Sequence, residues 1–311
     1  MPHTPRHASL HAPRPRSMTC PERPPPLQGR TAVVTGAARG LGKETVRELT
    51  RRGARVALLG REEAALRRVA SALPTDAYCW GVDVTDDEAM GQVAEEVRDR
   101  LGPASIVVAN AGIAEGGPFV GSDPDTWRRV IEVNLIGSSI TARCFLPDLL
   151  ASHGYFLQVA SLASIGAAPL MSAYCASKAG VESFAHSLRA ELAPEGVGVG
   201  IAYLNWTDTD MIRDADQHPV LRELRAHMPP PARKVHPAEW VAARLVTAVE
   251  RRSVAVYVPG WLRAAQGVRA ALPAVVTRLS RRELPRLAAR TPFEATGLLG
   301  AGGRADEARR R

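Results

Sequence analysis

Tyr174 and Lys178 stand four residues apart in Ser172-Ala-Tyr-Cys-Ala-Ser-Lys178, a stretch that reads as the opening of a helix. On a helix this spacing puts both side chains on one face, so a phenol sits beside a fixed cation. A free tyrosine ionises near pH 10. A neighbouring ammonium favours the phenolate, so the phenol can exchange a proton closer to neutrality. Bringing the ionisation down by about 2–3 pH units corresponds to roughly 3–4 kcal/mol, within reach of a close, partly desolvated charge. Lys178 is one of only three lysines among 40 basic residues, so it is placed against a strong arginine bias. Alone, such a pair is more often two surface residues than a reacting pair, and other segments must decide.

The elements that would position the pair are legible as apolar runs alternating with helical patterns, the signature of βαβ units and a parallel sheet. Strands are expected over 31–35, 55–59, 77–82, 105–109, 155–160, 197–204 and 253–258, and helices over about 41–52, 62–72, 86–101, 124–150, 172–193 and 237–250. Thr85 is read as the cap of the third helix, and Ser122-Asp123-Pro124 as the opening of the fourth, with proline in its first turn. Right-handed crossovers would bring the carboxyl ends of all strands to one edge, where ligands bind.

Three further segments fall on that edge. Gly36, Gly40 and Gly42, in Thr35-Gly-Ala-Ala-Arg-Gly-Leu-Gly42, lie between the first strand and first helix. The chain must turn tightly there, and backbone can approach a pyrophosphate at the positive end of the helix dipole. Asn110-Ala-Gly112 follows the fourth strand, and Ser161 follows the fifth, thirteen residues before Tyr174.

With these residues in place the chain from about Gly29 to Gly260 resembles the short-chain dehydrogenase/reductase family in its short, single-domain form. T-G-x-x-x-G-x-G is complete at Thr35, Gly36, Gly40 and Gly42, N-A-G at Asn110 to Gly112, and Y-x-x-x-K at Tyr174 and Lys178. The expected fold is α/β, a single Rossmann-type doubly wound sheet of seven parallel strands with helices on both faces. The resemblance implies a catalytic set of Asn134, Ser161, Tyr174 and Lys178. Tyr174 would exchange the proton of a carbonyl or alcohol oxygen while a nicotinamide transfers hydride, and Ser161 would hydrogen-bond that oxygen where negative charge develops. Lys178 would lower the Tyr174 pKa and hold the nicotinamide ribose. Asn134 would kink its helix and hold a water that relays protons to Lys178.

The implied cofactor site comprises Thr35, Gly36, Arg39, Gly40, Leu41, Gly42, Arg61, Asp83, Val84, Asn110, Ala111, Gly112, Tyr174, Lys178 and Thr209. Asp83 matches the acid that contacts the adenine amino group, a role compatible with capping the next helix. An acid at the end of the second strand would accept hydrogen bonds from the ribose of NAD. This chain has Gly60-Arg61 there, with Arg39 in the glycine loop. Two arginines match a 2′-phosphate, and in the family such residues go with NADP(H); otherwise both are solvated surface charges. The family's Pro-Gly after the sixth strand is replaced by Leu204-Asn205. That puts the path of the following loop, and the substrate wall near Trp206, in question.

Asp208 to Val235 resembles a mobile substrate lid, with Met211, Ile212, Leu221, Leu224 and Met228 among charges. Either these side chains meet a hydrophobic, lipid-like carbonyl or alcohol substrate, or they pack on the body of the protein. A dehydratase or epimerase is a rival reading within the family, but it goes with T-G-x-x-G-x-x-G and a longer C-terminal domain. From another class, a cofactor-binding regulator or scaffold without turnover has no physical need for all four catalytic residues.

The 311 residues suffice for one substantial core. The net charge of +8 belongs to the flanks: five Arg against one Glu before residue 31 and eleven Arg against four acids after residue 260 leave 8 − 4 − 7 = −3 in between. Basicity is therefore poor support for nucleic-acid binding, and none is expected. Cys20, Cys79, Cys144 and Cys175 form no CxxC pair, so neither a metal site nor a disulfide framework is expected, and a reducing cytoplasm fits. Residues 1–28 read as a disordered Pro/Arg-rich extension in which Met18 is an alternative start, 29–260 as the enzymatic domain, 261–296 as a basic amphipathic helical extension, and 297–311 as a disordered tail. Pro273 and Pro285 are expected to break the C-terminal extension into short helices. It would either make weak peripheral contact with an anionic membrane or pack beside the substrate entrance. A homodimer or homotetramer is expected from the helices beginning at Pro124 and Ser172, which match those that pair across subunits in the family.

Overall fold

The computed structural model describes residues 25–310. Seven strands, β1 (Thr31–Thr35), β2 (Arg55–Gly60), β3 (Ala77–Gly81), β4 (Ile106–Ala109), β5 (Tyr155–Val159), β6 (Gly198–Leu204) and β7 (Ala255–Val258), form one sheet in the order β3-β2-β1-β4-β5-β6-β7. Every pairing is parallel. Strands in such a sheet are buried on both faces and alternate sides along the chain. Accordingly Val33 and Val107 belong to one buried cluster, while Ala32, Val34, Ile106 and Val108 belong to the cluster on the other face.

Helices cover both faces: α1 (Gly40–Arg51), α2 (Glu63–Ala70), α3 (Asp87–Leu101), α4 (Pro124–Ile131), α5 (Gly137–Ala151), the short α6 (Leu162–Ile165) and α7 (Ser172–Leu192). The cap of α3 is Asp86, whose carboxylate accepts the Ala89 N–H at 3.0 Å. Thr85, expected in that role, instead donates its hydroxyl to Asp83 at 2.8 Å. At α4 the Asp123 carboxylate accepts the Thr126 N–H at 2.9 Å, and Pro124 occupies the first turn. The long helix expected over 124–150 is interrupted between α4 and α5 by a wide, π-helical turn at Glu132–Ile136.

After β6 come α8 (Asp210–Ala215), α9 (Pro219–Ala226) and α10 (Pro230–Arg233), which build the lid segment, then α11 (Ala238–Glu250), which packs on α1. The C-terminal region holds α12 (Leu262–Gly267), α13 (Leu272–Ala288) and α14 (Gly300–Arg310). Two features here depart from the sequence reading. Helix α13 runs through both prolines: Pro273 sits in its first turn, where no intrahelical N–H is needed, and Pro285 lies exposed near its end, where water can take the released carbonyl.

Residues 300–310, expected as tail, are helical despite four glycines between 297 and 303. Buried Leu298 and Leu299 and ion pairs of Asp306 and Arg304 hold the segment on the body, so tertiary contacts override weak propensity. At the other end the expected extension over 1–28 lies outside the described residues up to 24. Leu27 is part of the folded body, 4% exposed, and its N–H donates to the Arg52 carbonyl at 2.9 Å.

Candidate functional site

The carboxyl ends of β1, β2, β4, β5 and β6 border one cleft, enclosing a cavity of about 260 Å³. It is lined by Gly36, Arg39, Gly40, Leu41, Gly42, Arg61, Asp83, Val84, Asn110, Ala111, Gly112, Ser161, Tyr174, Lys178 and Thr209, so fourteen of the fifteen residues named for a cofactor, together with one more catalytic residue, Ser161, meet in a single space. Thr35 and Asn134 stand behind this wall. The Thr35 hydroxyl accepts the N–H groups of Asn110 and Ala111, each at 3.0 Å, while the Asn110 amide donates to the Thr35 carbonyl at 2.9 Å. This ties the end of β1 to the end of β4.

The glycine loop fits a ligand approached by backbone. A Cβ on Gly42 would lie 2.2 Å from the Gly36 carbonyl oxygen, and one on Gly36, at φ +66°, would lie 2.9 Å from the Ala111 Cα. Both positions therefore exclude a side chain, and α1 begins beside them with its N–H groups free to face an anion. Thr209 stands over the same loop, 3.0 Å from where a Gly40 Cβ would be.

Asn134 is fully buried in the wide turn. Its Oδ1 accepts the Ile113 N–H at 2.8 Å, and its Nδ2 donates to the Ile113 carbonyl at 2.9 Å and to the Ser177 hydroxyl at 2.8 Å. Two bonds to Ile113 and one to Ser177 of α7 hold the chain beyond Gly112 and the start of α7 against the wide turn, so the Asn134 side chain positions other groups. Ser161 caps α6, accepting the Ala163 N–H at 3.1 Å, and it hydrogen-bonds the Tyr174 phenol. Ser164 links that cap to α7, accepting the Ser161 N–H at 3.3 Å and donating to the Lys178 carbonyl at 2.8 Å.

The Tyr174–Lys178 electrostatics differ from expectation. Burial pushes the Tyr174 phenol up, and the hydrogen bond from Ser161 only partly offsets it. Lys178, 5% exposed, is pulled down to about 8 by desolvation. Its ammonium is 5.7 Å from the Tyr174 ring centroid and donates to the Val159 carbonyl at 3.2 Å. The expected lowering of the phenol by Lys178 is therefore absent in this state, because both groups have lost water and burial disfavours both charged forms.

Arg39 and Arg61 line the cleft, but each already has an anionic partner. Arg39 pairs with Glu62, and Arg61 pairs with Asp306 and donates to the Gly302 carbonyl at 2.9 Å. Burial raises Asp83, but the backbone N–H and hydroxyl of Thr85 together with Arg129 outweigh it and leave the carboxyl below its usual range. Arg129 and Asp306 were not singled out from sequence. A charged pair formed between residues 177 positions apart leaves no local spacing to find.

Asn205 resolves the departure at the end of β6. It is buried, and its amide donates to the carbonyls of Ala232 at 3.0 Å and Lys234 at 3.2 Å, fastening the far end of the lid under the sheet edge. Lid residues Leu221, Met211 and Leu224 cluster with Ala114, Met171, Tyr174, Ala215 and the C-terminal Leu299. The apolar lid side chains thus gather around the phenol. Among the described residues no group of three or more His, Cys, Asp or Glu could hold a metal ion, and no helix is long and apolar enough to cross a membrane.

The family model described as short chain dehydrogenase matches residues 30–219. A galactitol 2-dehydrogenase (L-tagatose-forming) of Cereibacter sphaeroides is 36% identical over 245 residues, 78% of this chain and 95% of that protein. A short chain dehydrogenase of Pseudocercospora fijiensis is 34% identical over 222 residues, 67% of this chain and 71% of that one. A crystal structure of a short-chain type dehydrogenase/reductase from Mycobacterium marinum superposes with a TM-score of 0.67, covering 74% of this chain and 94% of its own at 23% identity, a likeness of fold.

Proposed function

The chain belongs to the short-chain dehydrogenase family, and from that premise we propose that it is an NADP(H)-dependent oxidoreductase interconverting a carbonyl and a secondary alcohol on a hydrophobic substrate. The observation that carries this reading is the convergence of Ser161, Tyr174 and Lys178 at one end of a cleft whose other end is a glycine cradle flanked by two arginines. A nicotinamide dinucleotide would supply or accept the hydride. Gly36, Gly40 and Gly42 would hold its pyrophosphate, Lys178 its ribose, and Arg39 with Arg61 its 2′-phosphate.

The chain's own groups divide the remaining work. Tyr174, kept protonated by burial, donates its proton to the carbonyl oxygen in reduction and recovers it in oxidation. Ser161 lies within hydrogen-bonding reach of the same phenol and stabilises the oxygen as charge develops. Lys178 holds a cation behind them, and Asn134 fixes the backbone beside that cation. Met211, Leu221 and Leu224 gather over Tyr174 and favour an apolar substrate; they give no reason to carry over the polyol in the Cereibacter enzyme's name.

The reading extends to the assembly and its surroundings: a homodimer or homotetramer in a reducing cytoplasm, with weak peripheral membrane contact through α13. The decisive experiment is NADPH oxidation against a panel of aldehydes and ketones of graded hydrophobicity. Turnover with at least one apolar carbonyl, lost in Tyr174→Phe, is expected. A chain that binds the cofactor yet turns over none of the panel in either direction is instead a cofactor-binding regulator.

A further inference from the structure

The last helix enters the cofactor cleft. Leu299 to Gly303 line it, and α14 then runs across the end of β2. Three contacts fasten Arg61 to this helix: its guanidinium pairs with Asp306, it donates to the Gly302 carbonyl at 2.9 Å, and its own carbonyl accepts from Arg309 at 3.1 Å. Asp306 is 1% exposed and is shared with a second buried guanidinium, that of Arg129, at 2.9–3.2 Å. Arg129 in turn pairs with Asp83.

The charges close on themselves. Arg61 and Arg129 face Asp83 and Asp306, Glu132 lies 3.5 Å from Arg129, and Arg39 faces Glu62. A dianion arriving beside Arg61 therefore meets no net positive charge unless one carboxylate leaves. Asp306 is the one carried on a separable element: Asp83 and Glu62 belong to the loops leaving β3 and β2, whereas Asp306 returns from 245 positions away. The first turn of α14 is Gly300-Ala-Gly-Gly303, and a Cβ on Gly302 would meet nothing within 4 Å. The helix thus stands over the cleft without filling it with side chains.

We infer that Asp306 is a specificity-determining residue of the cofactor site: its carboxylate holds Arg61 and Arg129 where an adenosine 2′-phosphate would bind, so a 2′-phosphorylated cofactor binds by displacing it. The inference rests on the proposed assignment of Arg61 to the 2′-phosphate. Specificity then comes from competition between two anions for one guanidinium, and a tail segment far from the nucleotide motif sets the ratio of NADP to NAD affinity. Helix α14 keeps other anchors when Asp306 lets go. Asp214 accepts the Gly300 N–H at 2.7 Å and pairs with Arg304, and Glu307 accepts the Leu298 N–H at 2.8 Å.

Adenosine 2′,5′-bisphosphate and 5′-AMP, which differ by the 2′-phosphate, test this on the full chain by calorimetry without turnover. Asp306→Asn should tighten the bisphosphate at least about tenfold while changing 5′-AMP by less than about threefold, and Arg61→Ala in that background should abolish the gain. Hydrogen exchange gives a second readout that needs no variant: in the wild type the bisphosphate, and not 5′-AMP, should increase exchange over residues 300–310. Equal effects on both ligands, weaker bisphosphate binding in Asp306→Asn, or unchanged exchange over 300–310 would each overturn the inference. Absence of Tyr174-dependent turnover would instead remove the oxidoreductase reading and leave this competition standing.

Discussion

At the scale of single residues, the site is defined by what burial does to a phenol and an amine. With Tyr174 held protonated, its loss removes only the proton donor. Tyr174→Phe should lower kcat by about 10²–10⁴-fold while leaving the dissociation constant for NADPH within about threefold. Retention of more than about a tenth of wild-type kcat would take the proton-transfer role away from this residue. Lys178 offers a test that needs no substrate. Desolvation brings it to about 8, whereas an unfolded lysine ionises near 10.4. Between these pH values the unfolded chain holds more protons than the folded one, so this residue makes stability rise with pH across that window; the burial penalty is fully present below about pH 8. The chain has three lysines, so a lysine-labelled NMR titration should resolve one side chain with a midpoint near pH 8, absent in Lys178→Met. A midpoint above about 9.5 for all three would show that water reaches the Lys178 amine.

Among the elements, legibility follows from where the stabilising contacts lie. The strands were readable because each is a short apolar run buried on both faces, and the observed ends of β1, β2 and β6 differ from the expected ones by at most one residue. Tyr174, Lys178, Ser161 and the glycines were readable because local spacing carries their geometry. Helix α14 was not, since its glycine-rich start opposes helix and its anchors, Arg61, Arg129 and Asp214, are distant in sequence. The wide turn at Glu132–Ile136 was anticipated as a kink at Asn134, but the three hydrogen bonds that use the Asn134 side chain emerge only from the packing of α7 and the chain that follows β4. The C-terminal extension divides the two alternatives open for it. Leu262 is fully buried and Arg269 pairs with buried Glu182, so α12 and the start of α13 pack on the body. Further along, Val275 and Leu279 of α13 are 50% and 55% exposed among Arg278, Arg281 and Arg282. Helix α13 should therefore carry the wild-type protein onto anionic vesicles, and Val275→Ser with Leu279→Ser should reduce co-sedimentation several-fold without affecting neutral vesicles. Absence of wild-type co-sedimentation at low salt would leave the exposed stripe without a membrane role.

For the whole molecule, charge and apolar surface point to different kinds of contact. The excess of positive charge resides in the flanks, while the middle of the chain is mildly acidic, so electrostatics offers no drive for copies of the central domain to associate. Association has to come from apolar surface. Ile136, in the wide turn between α4 and α5, is 46% exposed, and Phe119 and Val120 just before α4 are 68% and 99% exposed. A two-fold axis beside the helices that begin at Pro124 and Ser172 would bury Ile136 on both copies, the geometry an isologous interface requires. It would also brace the turn that holds Asn134, so assembly and site geometry would be coupled through a single element. Light scattering should then report two or four times the 33.3 kDa chain mass. Ile136→Asp places a charge on this exposed turn without disturbing the monomer's core, and it should shift the protein to the monomeric mass and weaken NADPH binding together. A wild type found only at 33.3 kDa would exclude the assembly. A monomeric Ile136→Asp with unchanged cofactor affinity would keep the assembly and remove its link to the site.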